Sequence, residues 1–94
     1  MDIELKKTGQ IIGLRETGNR FRQILEKALN DNEDVIIDFD GVDSISSSFA
    51  DEFIAKAYIK IGKEKFLTHV KIKNANEFIK IIINSSLSER LKRG

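Results

Sequence analysis

Three consecutive serines, Ser46, Ser47 and Ser48, stand where the sequence changes from a strand-like to a helix-like pattern. A serine hydroxyl can cap a helix by accepting a backbone N–H, and it can also accept a phosphoryl group. A cap requires only one hydroxyl. We predict Ser48 as the cap, because Asp51 and Glu52 would then lie near the positive end of the helix dipole. Ser46 and Ser47 are left in the loop, where small polar residues are also common without any functional role.

Two aspartates, Asp38 and Asp40, close the apolar run that begins at Val35. This spacing resembles the first motif of the haloacid dehalogenase phosphatases, which implies a nucleophile at Asp38 and an acid/base at Asp40. That chemistry needs Mg²⁺ held by further carboxylates. No acidic pair follows a strand after Glu52, and 94 residues are too few for that fold. We therefore expect no enzyme activity, no metal and no cofactor, and a phosphatase fragment is the least favoured alternative.

The composition predicts a single folded domain over residues 1–94, since 40% of the residues are hydrophobic and 33% are charged. There is no cysteine, and His69 is the only histidine, which leaves little for thiol or metal chemistry. No apolar run approaches the roughly 20 residues of a membrane-spanning helix. The first residues carry acids and no apolar leader-like segment, so we expect a cytoplasmic protein that does not enter a membrane.

The charges are unevenly distributed although the net charge is only +1. Residues 31–52 contain eight acidic and no basic side chains, whereas residues 53–94 carry a net charge of +7. The acids could simply occupy turns and helix N-termini, or they could form an acidic face for a basic partner. Six lysines between Lys56 and Lys73 are typical of a solvated helix side and an edge strand, which disfavours nucleic acid as a partner.

Hydrophobic periodicity predicts three helices and three strands. Helices are expected from about residue 14 to 30, from Ser48 to a stop at Gly62, and from Asn76 onward, with Glu52 on the outward side of the second. Strands are expected around residues 3–6, at 35–39 and at 69–73. The second should be buried on both faces at the centre of the sheet and the third should lie nearer its edge. Residues 10–13 could add a short hairpin strand.

The alternation of strands and helices predicts an α/β fold in βαβαβα order around a mostly parallel sheet of three to four strands. The loop from Asp38 to Ser48 then lies at the carboxyl end of the central strand, where open α/β sheets place their ligand sites.

Most of the chain, roughly residues 10–92, resembles the bacterial STAS-like domain of uncharacterised function, itself similar to the STAS domains of anti-sigma-factor antagonists. The resemblance is carried by Asp38-Phe39, by the Gly41-Val42 turn, by Ile45–Glu52 at the opening of a helix and by Gly13-Leu14-Arg15. It implies a small STAS-like fold. It also implies that a partner kinase of the histidine-kinase-like ATPase type phosphorylates a serine at this helix start, and that the phosphate controls complex formation.

Aligned on that motif, the acceptor serine is Ser47. This chain has Ser46 where the antagonists have an aspartate, and Phe49 where they have a glycine. Our leading hypothesis is a non-enzymatic interaction module that regulates, or is regulated by, a histidine-kinase-like ATPase, a serine kinase or an anti-sigma-type regulator. The predicted partner-binding residues are Asp40, Asp43, Ser46, Ser47, Ser48 and Glu52. The alternative is a small nucleotide- or anion-binding domain that uses the helix N-terminus after Ser48.

Overall fold

Five strands and four helices form the fold in the computed structural model, which describes residues 1–93. The strands are β1 (Asp2–Glu4), β2 (Ile11–Ile12), β3 (Val35–Asp38), β4 (Ser44–Ile45) and β5 (Val70–Lys73). The helices are α1 (Arg15–Asn30), α2 (Ser47–Ala50, a π-helical turn over Asp51–Ala55, and Lys56–Ile61), α3 (Lys63–His69) and α4 (Glu77–Arg93).

Strands β1, β3 and β5 form a three-stranded parallel sheet with β3 at its centre. This confirms the α/β class, the mostly parallel sheet and the central position of residues 35–39. Strands β2 and β4 form a separate two-stranded parallel ladder. The hairpin expected at residues 10–13 is therefore wrong, because Ile11–Ile12 pairs with the distant Ser44–Ile45 rather than with a sequence neighbour. The pair β2–β4 and helix α3 are additions to the predicted βαβαβα order.

The three-stranded sheet is buried on one face only. Ile3, Val35, Ile37 and Val70 are buried on that face. On the other face Ile36 and Asp38 of β3 are half-buried, and both neighbouring strands present exposed charged side chains. The expectation that β3 is buried on both faces is wrong, because the helices cover only the side from which its β-branched side chains project into the core.

Helices α1 and α2 pack against each other through an aromatic cluster and a point of close backbone approach. The rings of Phe49 and Phe53 on α2 lie 5.5 Å apart, and the ring of Phe21 on α1 lies 5.8 Å from that of Phe53. One turn earlier on α1, Gly18 faces α2, and a Cβ there would lie 3.0 Å from the Cβ of Glu52 and 3.1 Å from the carbonyl oxygen of Phe49. The absent side chain lets the two helices approach closely at this point.

We expect Gly18→Ala to destabilise the protein by about 1–2 kcal/mol, because the backbone of α2 must move to admit the methyl group. Helix propensity alone would predict a gain in stability instead, because it favours Ala over Gly by about 1 kcal/mol. Urea unfolding measures the difference. Gly13→Ala is the control, because a Cβ at this position would lie 3.9 Å from the nearest atoms, which belong to the side chain of Ser46. A Gly18→Ala variant more stable than the parent contradicts this packing.

Candidate functional site

The hydroxyl of Ser46 caps helix α2. Its oxygen accepts a hydrogen bond from the N–H of Phe49 at 3.0 Å and donates one to the carbonyl of Gly13 at 2.7 Å. The backbone of Ser46 is extended, as an N-cap requires. The prediction that Ser48 is the cap is wrong. The apolar pattern suggested a helix starting near Ala50, whereas the helix begins at Ser47 so that Phe49 already lies in the core.

We expect Ser46→Ala to cost about 1–2 kcal/mol of unfolding free energy, because one N–H at the helix start and one loop carbonyl lose their partner together. Ser47→Ala should change the stability by less than about 0.5 kcal/mol, as is usual for exposed positions. Chemical denaturation of the two variants beside the parent checks this. Equal losses at both positions contradict the assignment of Ser46 as the structural serine.

Ser47 is the first helical residue of α2 and its side chain is exposed. Within residues 1–93 its hydroxyl makes no hydrogen bond with another residue, while its carbonyl accepts one from the hydroxyl of Ser86 at 3.5 Å. The neighbouring Ser48 is half-buried. The backbone N–H groups in the first turn of a helix have no partner four residues earlier. A free hydroxyl therefore stands beside backbone donors at the start of α2.

A cleft of about 240 Å³ opens in front of these serines, between the start of α2 and the last turns of α4. Arg15 approaches it from the start of α1, and Arg93 approaches it from the end of α4. The residues that line it are Arg15, Ser47, Ser48, Asp51, Ser85, Ser86, Glu89 and Arg93. The contribution of α4 was not predicted from the sequence, although Glu89 and Arg93 are four residues apart and so lie close together on one helix face.

Asp51, which we expected to add to an acidic loop, is neutralised by two arginines. Arg90 binds its carboxylate with two hydrogen bonds, one of them from Nε at 2.9 Å, and Arg15 adds a third at 3.0 Å. The hydrogen bonds from Arg90 in particular lower the pKa of Asp51, with Arg15 contributing to the same effect. The guanidinium of Arg15 remains half exposed. The walls of the cleft are therefore less acidic than the charge of residues 31–52 suggests.

Glu52 lies in the π-helical turn of α2 and points toward α1, where its side chain is buried. The expectation that it lies on the exposed side of the helix is wrong, because α1 packs closely against this side of α2 at Gly18. Cations and an amide surround its carboxylate, and Lys56, Arg15 and Arg22 donate to it at 2.8, 3.1 and 3.1 Å. Burial alone raises the pKa of Glu52, but the hydrogen bonds from these cations and Asn19 outweigh burial and lower it to about 2.

The Asp38-x-Asp40 pair forms a local turn. Asp38 accepts hydrogen bonds from the side-chain amide of Asn74 and from the N–H of Asp40, both at 2.9 Å, and these bonds lower its pKa. Among residues 1–93 no group of three or more His, Cys, Asp or Glu side chains could hold a metal ion. Asp40 and Asp43 are exposed on the loop between β3 and β4, outside the cleft at Ser47.

The model of a family described as a STAS-like domain of unknown function matches residues 17–80. The chain belongs to this family. The matched part of the STAS-like domain runs from the first turn of α1 to the first turn of α4 and includes all three serines. The comparisons with curated proteins and with solved structures found no match.

Over residues 1–93, no helix is both long enough and apolar enough to cross a membrane.

Proposed function

We propose that this STAS-like domain is a non-enzymatic protein-interaction module whose binding surface surrounds the start of α2. Ile11 and Leu14 expose 75% and 68% of their surfaces beside the serines. Ile11 pairs with Ser44 across the β2–β4 ladder, and Leu14 follows the carbonyl that Ser46 binds. Exposed apolar side chains around a polar centre are typical of surfaces that bind proteins. We name this region the serine surface, formed by Ile11, Leu14, Arg15, Ser47 and Ser48.

Ser47 is the proposed regulatory phosphoacceptor of the serine surface. The observation that carries this proposal is the division of roles among the three serines. Ser46 is committed to capping α2, Ser48 is half-buried, and Ser47 alone combines an exposed side chain with a hydroxyl that has no protein partner within residues 1–93. A kinase needs that combination, because the hydroxyl must reach its active site without breaking a bond that the fold requires.

The surroundings of Ser47 suit a phosphate better than the sequence suggested. A phosphoserine carries a charge of about −1.5 to −2 at neutral pH. Arg15 and Arg93 line the same cleft, and the first turn of α2 offers backbone N–H groups. Asp51, the nearest acid of the predicted acidic block, already has Arg90 as its partner. Phosphorylation would therefore change the charge of the serine surface without disrupting the fold beneath it.

For the partner we propose a protein kinase or ATPase of the histidine-kinase-like type, or a regulator that such a kinase controls. This follows from the resemblance to the anti-sigma-factor antagonists. Asp40 and Asp43 are exposed on the loop between β3 and β4, so a partner whose basic side chains reach this loop would complement them. Glu52 contributes through the position of Arg15, since it is buried and cannot touch a partner directly.

Binding of a small anion is a second candidate function for the same cleft. The guanidinium groups of Arg15 and Arg93 and several serines favour a phosphate-sized ligand. A volume of about 240 Å³ is smaller than the usual range for sites that enclose drug-sized ligands. A nucleotide is therefore disfavoured. Thermal shift measurements with ATP, GTP and inorganic phosphate distinguish an anion-binding site from a nucleotide-binding site, because a ligand that binds the native state raises the melting temperature.

Affinity capture from the native host tests the interaction module. The baits are the parent chain, Ser47→Ala, Ser47→Asp and the control Ser88→Asp, which adds the same charge at an exposed serine of α4 outside the cleft. We expect at least one protein that the parent, Ser47→Ala and Ser88→Asp retain and that Ser47→Asp loses. Identical sets of captured proteins on all four baits contradict the proposal. Phosphopeptide mass spectrometry of the parent isolated from the same cells should place phosphate on Ser47.

A further inference from the structure

The two edges of the three-stranded sheet carry opposite charges on the same open face. Edge strand β1 presents Asp2 and Glu4, which we name the acidic edge. The opposite edge strand, β5, presents Lys71 and Lys73, which we name the basic edge. All four side chains are exposed, and none of them forms an ion pair within 4 Å among the residues that the structure describes.

The charges of the two edges are also in register. Asp2 lies opposite Ile36 and Ile36 lies opposite Lys71, so the acid and the lysine stand in one row across the sheet. Glu4, Asp38 and Lys73 form the next row. Because every pair is parallel, a β1 strand from another copy could extend the sheet at β5 and continue both rows. Each added acid would then stand beside a lysine, about one strand spacing of 4.8 Å away.

We propose that this domain associates with further copies of itself by pairing the basic edge of one copy with the acidic edge of the next. Opposite charges on adjacent strands stabilise a pair, whereas like charges destabilise it. Two acidic edges or two basic edges therefore repel each other, and only the unlike pair is favourable. This inference does not depend on the phosphorylation of Ser47.

The surroundings of the basic edge also suit an added strand. Ile72 points to the helix-covered face yet exposes 40% of its surface, because β5 is the last strand of the sheet. Beside it lies a groove of about 470 Å³ whose apolar walls include Ala75 and Ile83. In the register above, Ile3 of the next copy would continue the row of Ile3, Ile37 and Ile72 and cover the exposed part of Ile72.

The association is head-to-tail and does not close into a symmetric dimer. Each strand rotates by roughly 20–25° relative to its neighbour, so each added copy of three strands turns by about 60–75°. The edges are short, at three residues for β1 and four for β5, so each junction buries little area. We expect a weak association with a Kd between about 10 μM and 1 mM.

Sedimentation equilibrium of the untagged full chain over that concentration range tests the proposal through charge reversal. Asp2 and Lys71 are the residues to change, because apolar Ile36 lies between them, whereas Asp38 stands between Glu4 and Lys73. We expect Asp2→Lys and Lys71→Glu each to weaken self-association about tenfold. An equimolar mixture of the two variants should recover it, since each lysine again meets an acid. The double variant Asp2→Lys/Lys71→Glu should associate like the parent.

A parent chain that stays monomeric at about 1 mM overturns the proposal. Association that neither reversal weakens, or that the mixture fails to recover, also overturns it, because another surface would then be responsible. If one reversal alone prevents folding, the double variant still decides, since it restores unlike charges at the junction and must associate. Raising the salt toward 1 M should dissociate the parent, because screening then acts over about 3 Å.

Discussion

Replacing Glu52 with glutamine should destabilise the protein by about 3–5 kcal/mol, which is the range found when one partner of a buried ion pair is removed. The carboxylate accepts hydrogen bonds from Lys56, Arg15 and Arg22, and only 8% of its side chain is exposed. Glutamine keeps the shape but presents a donor and a neutral oxygen to three cations. Those cations then repel one another at the contact between α1 and α2 with no negative charge between them.

Denaturant unfolding of Glu52→Gln against the parent measures this loss. The matched control is Glu77→Gln, which removes a carboxylate that is 88% exposed and lies 3.8 Å from Lys80. Exposed pairs contribute about 0–1 kcal/mol, so the control should be close to the parent. A cost below about 1 kcal/mol for Glu52→Gln contradicts a structural role for the buried cluster.

As the pH falls from neutral, the parent should lose more unfolding free energy than the Glu52→Gln variant does. The folded state lowers the pKa of Glu52 from 4.5 to about 2, so the unfolded chain takes up the proton first as the pH falls. The stability that this carboxylate provides is fully present above about pH 5 and is lost as the pH falls toward 2. Lowering the pKa from 4.5 to about 2 corresponds to about 3 kcal/mol of unfolding free energy.

The measurement is the free energy of unfolding by urea at several pH values between 6 and 2. The parent should lose more stability over that interval than Glu52→Gln does, and the gap between the two proteins should narrow as the pH falls. Asp51 also has a lowered pKa, so the variant keeps part of the acid sensitivity. Parallel curves for the two proteins contradict the assignment of the depressed pKa to Glu52.

The main features of the fold follow from patterns that the sequence displays openly. The β-branched run from Val35 gives the central strand, and the helical repeat that stops at Gly62 gives the end of α2. Helix crossovers between strands favour parallel pairing, which is the pairing found for β1, β3 and β5. These features depend on neighbours within a few residues or on general rules of connection, so periodicity alone detects them.

The predictions were wrong at positions whose structure depends on contacts between residues far apart in the sequence. The period-3.6 pattern puts Glu52 on the polar side of α2, but α1 packs against that side at Gly18, so Glu52 is buried in the contact between the two helices. The prediction of Ser48 as the cap is wrong because the hydroxyl of Ser46 binds the carbonyl of Gly13, which lies 33 residues earlier in the chain. Nothing in the local sequence around the serines reveals either contact.

Helix α3 was not predicted from the sequence for a related reason. Residues Lys63–His69 contain one buried apolar side chain, Phe66, in a run of polar residues, so no helical stripe is visible. Phe66 packs against Tyr58 of α2 with the rings 5.3 Å apart, and this contact holds α3 in place. The part of the cleft that comes from α4 was also not predicted, since Glu89 and Arg93 lie more than 40 residues from Ser47 in the sequence.

The central claim is that the charge at Ser47 controls partner binding, and the equilibrium affinity of the captured partner tests it most directly. Its Kd should be measured for the parent, Ser47→Ala and Ser47→Asp at 0.1 M and 1 M salt. We expect Ser47→Ala to bind like the parent and Ser47→Asp to bind at least about tenfold more weakly at low salt, because the carboxylate adds a charge that an interface built around a neutral hydroxyl does not complement. The difference should shrink at 1 M salt as screening shortens to about 3 Å. A partner that binds Ser47→Asp and the parent with the same affinity at low salt contradicts the claim.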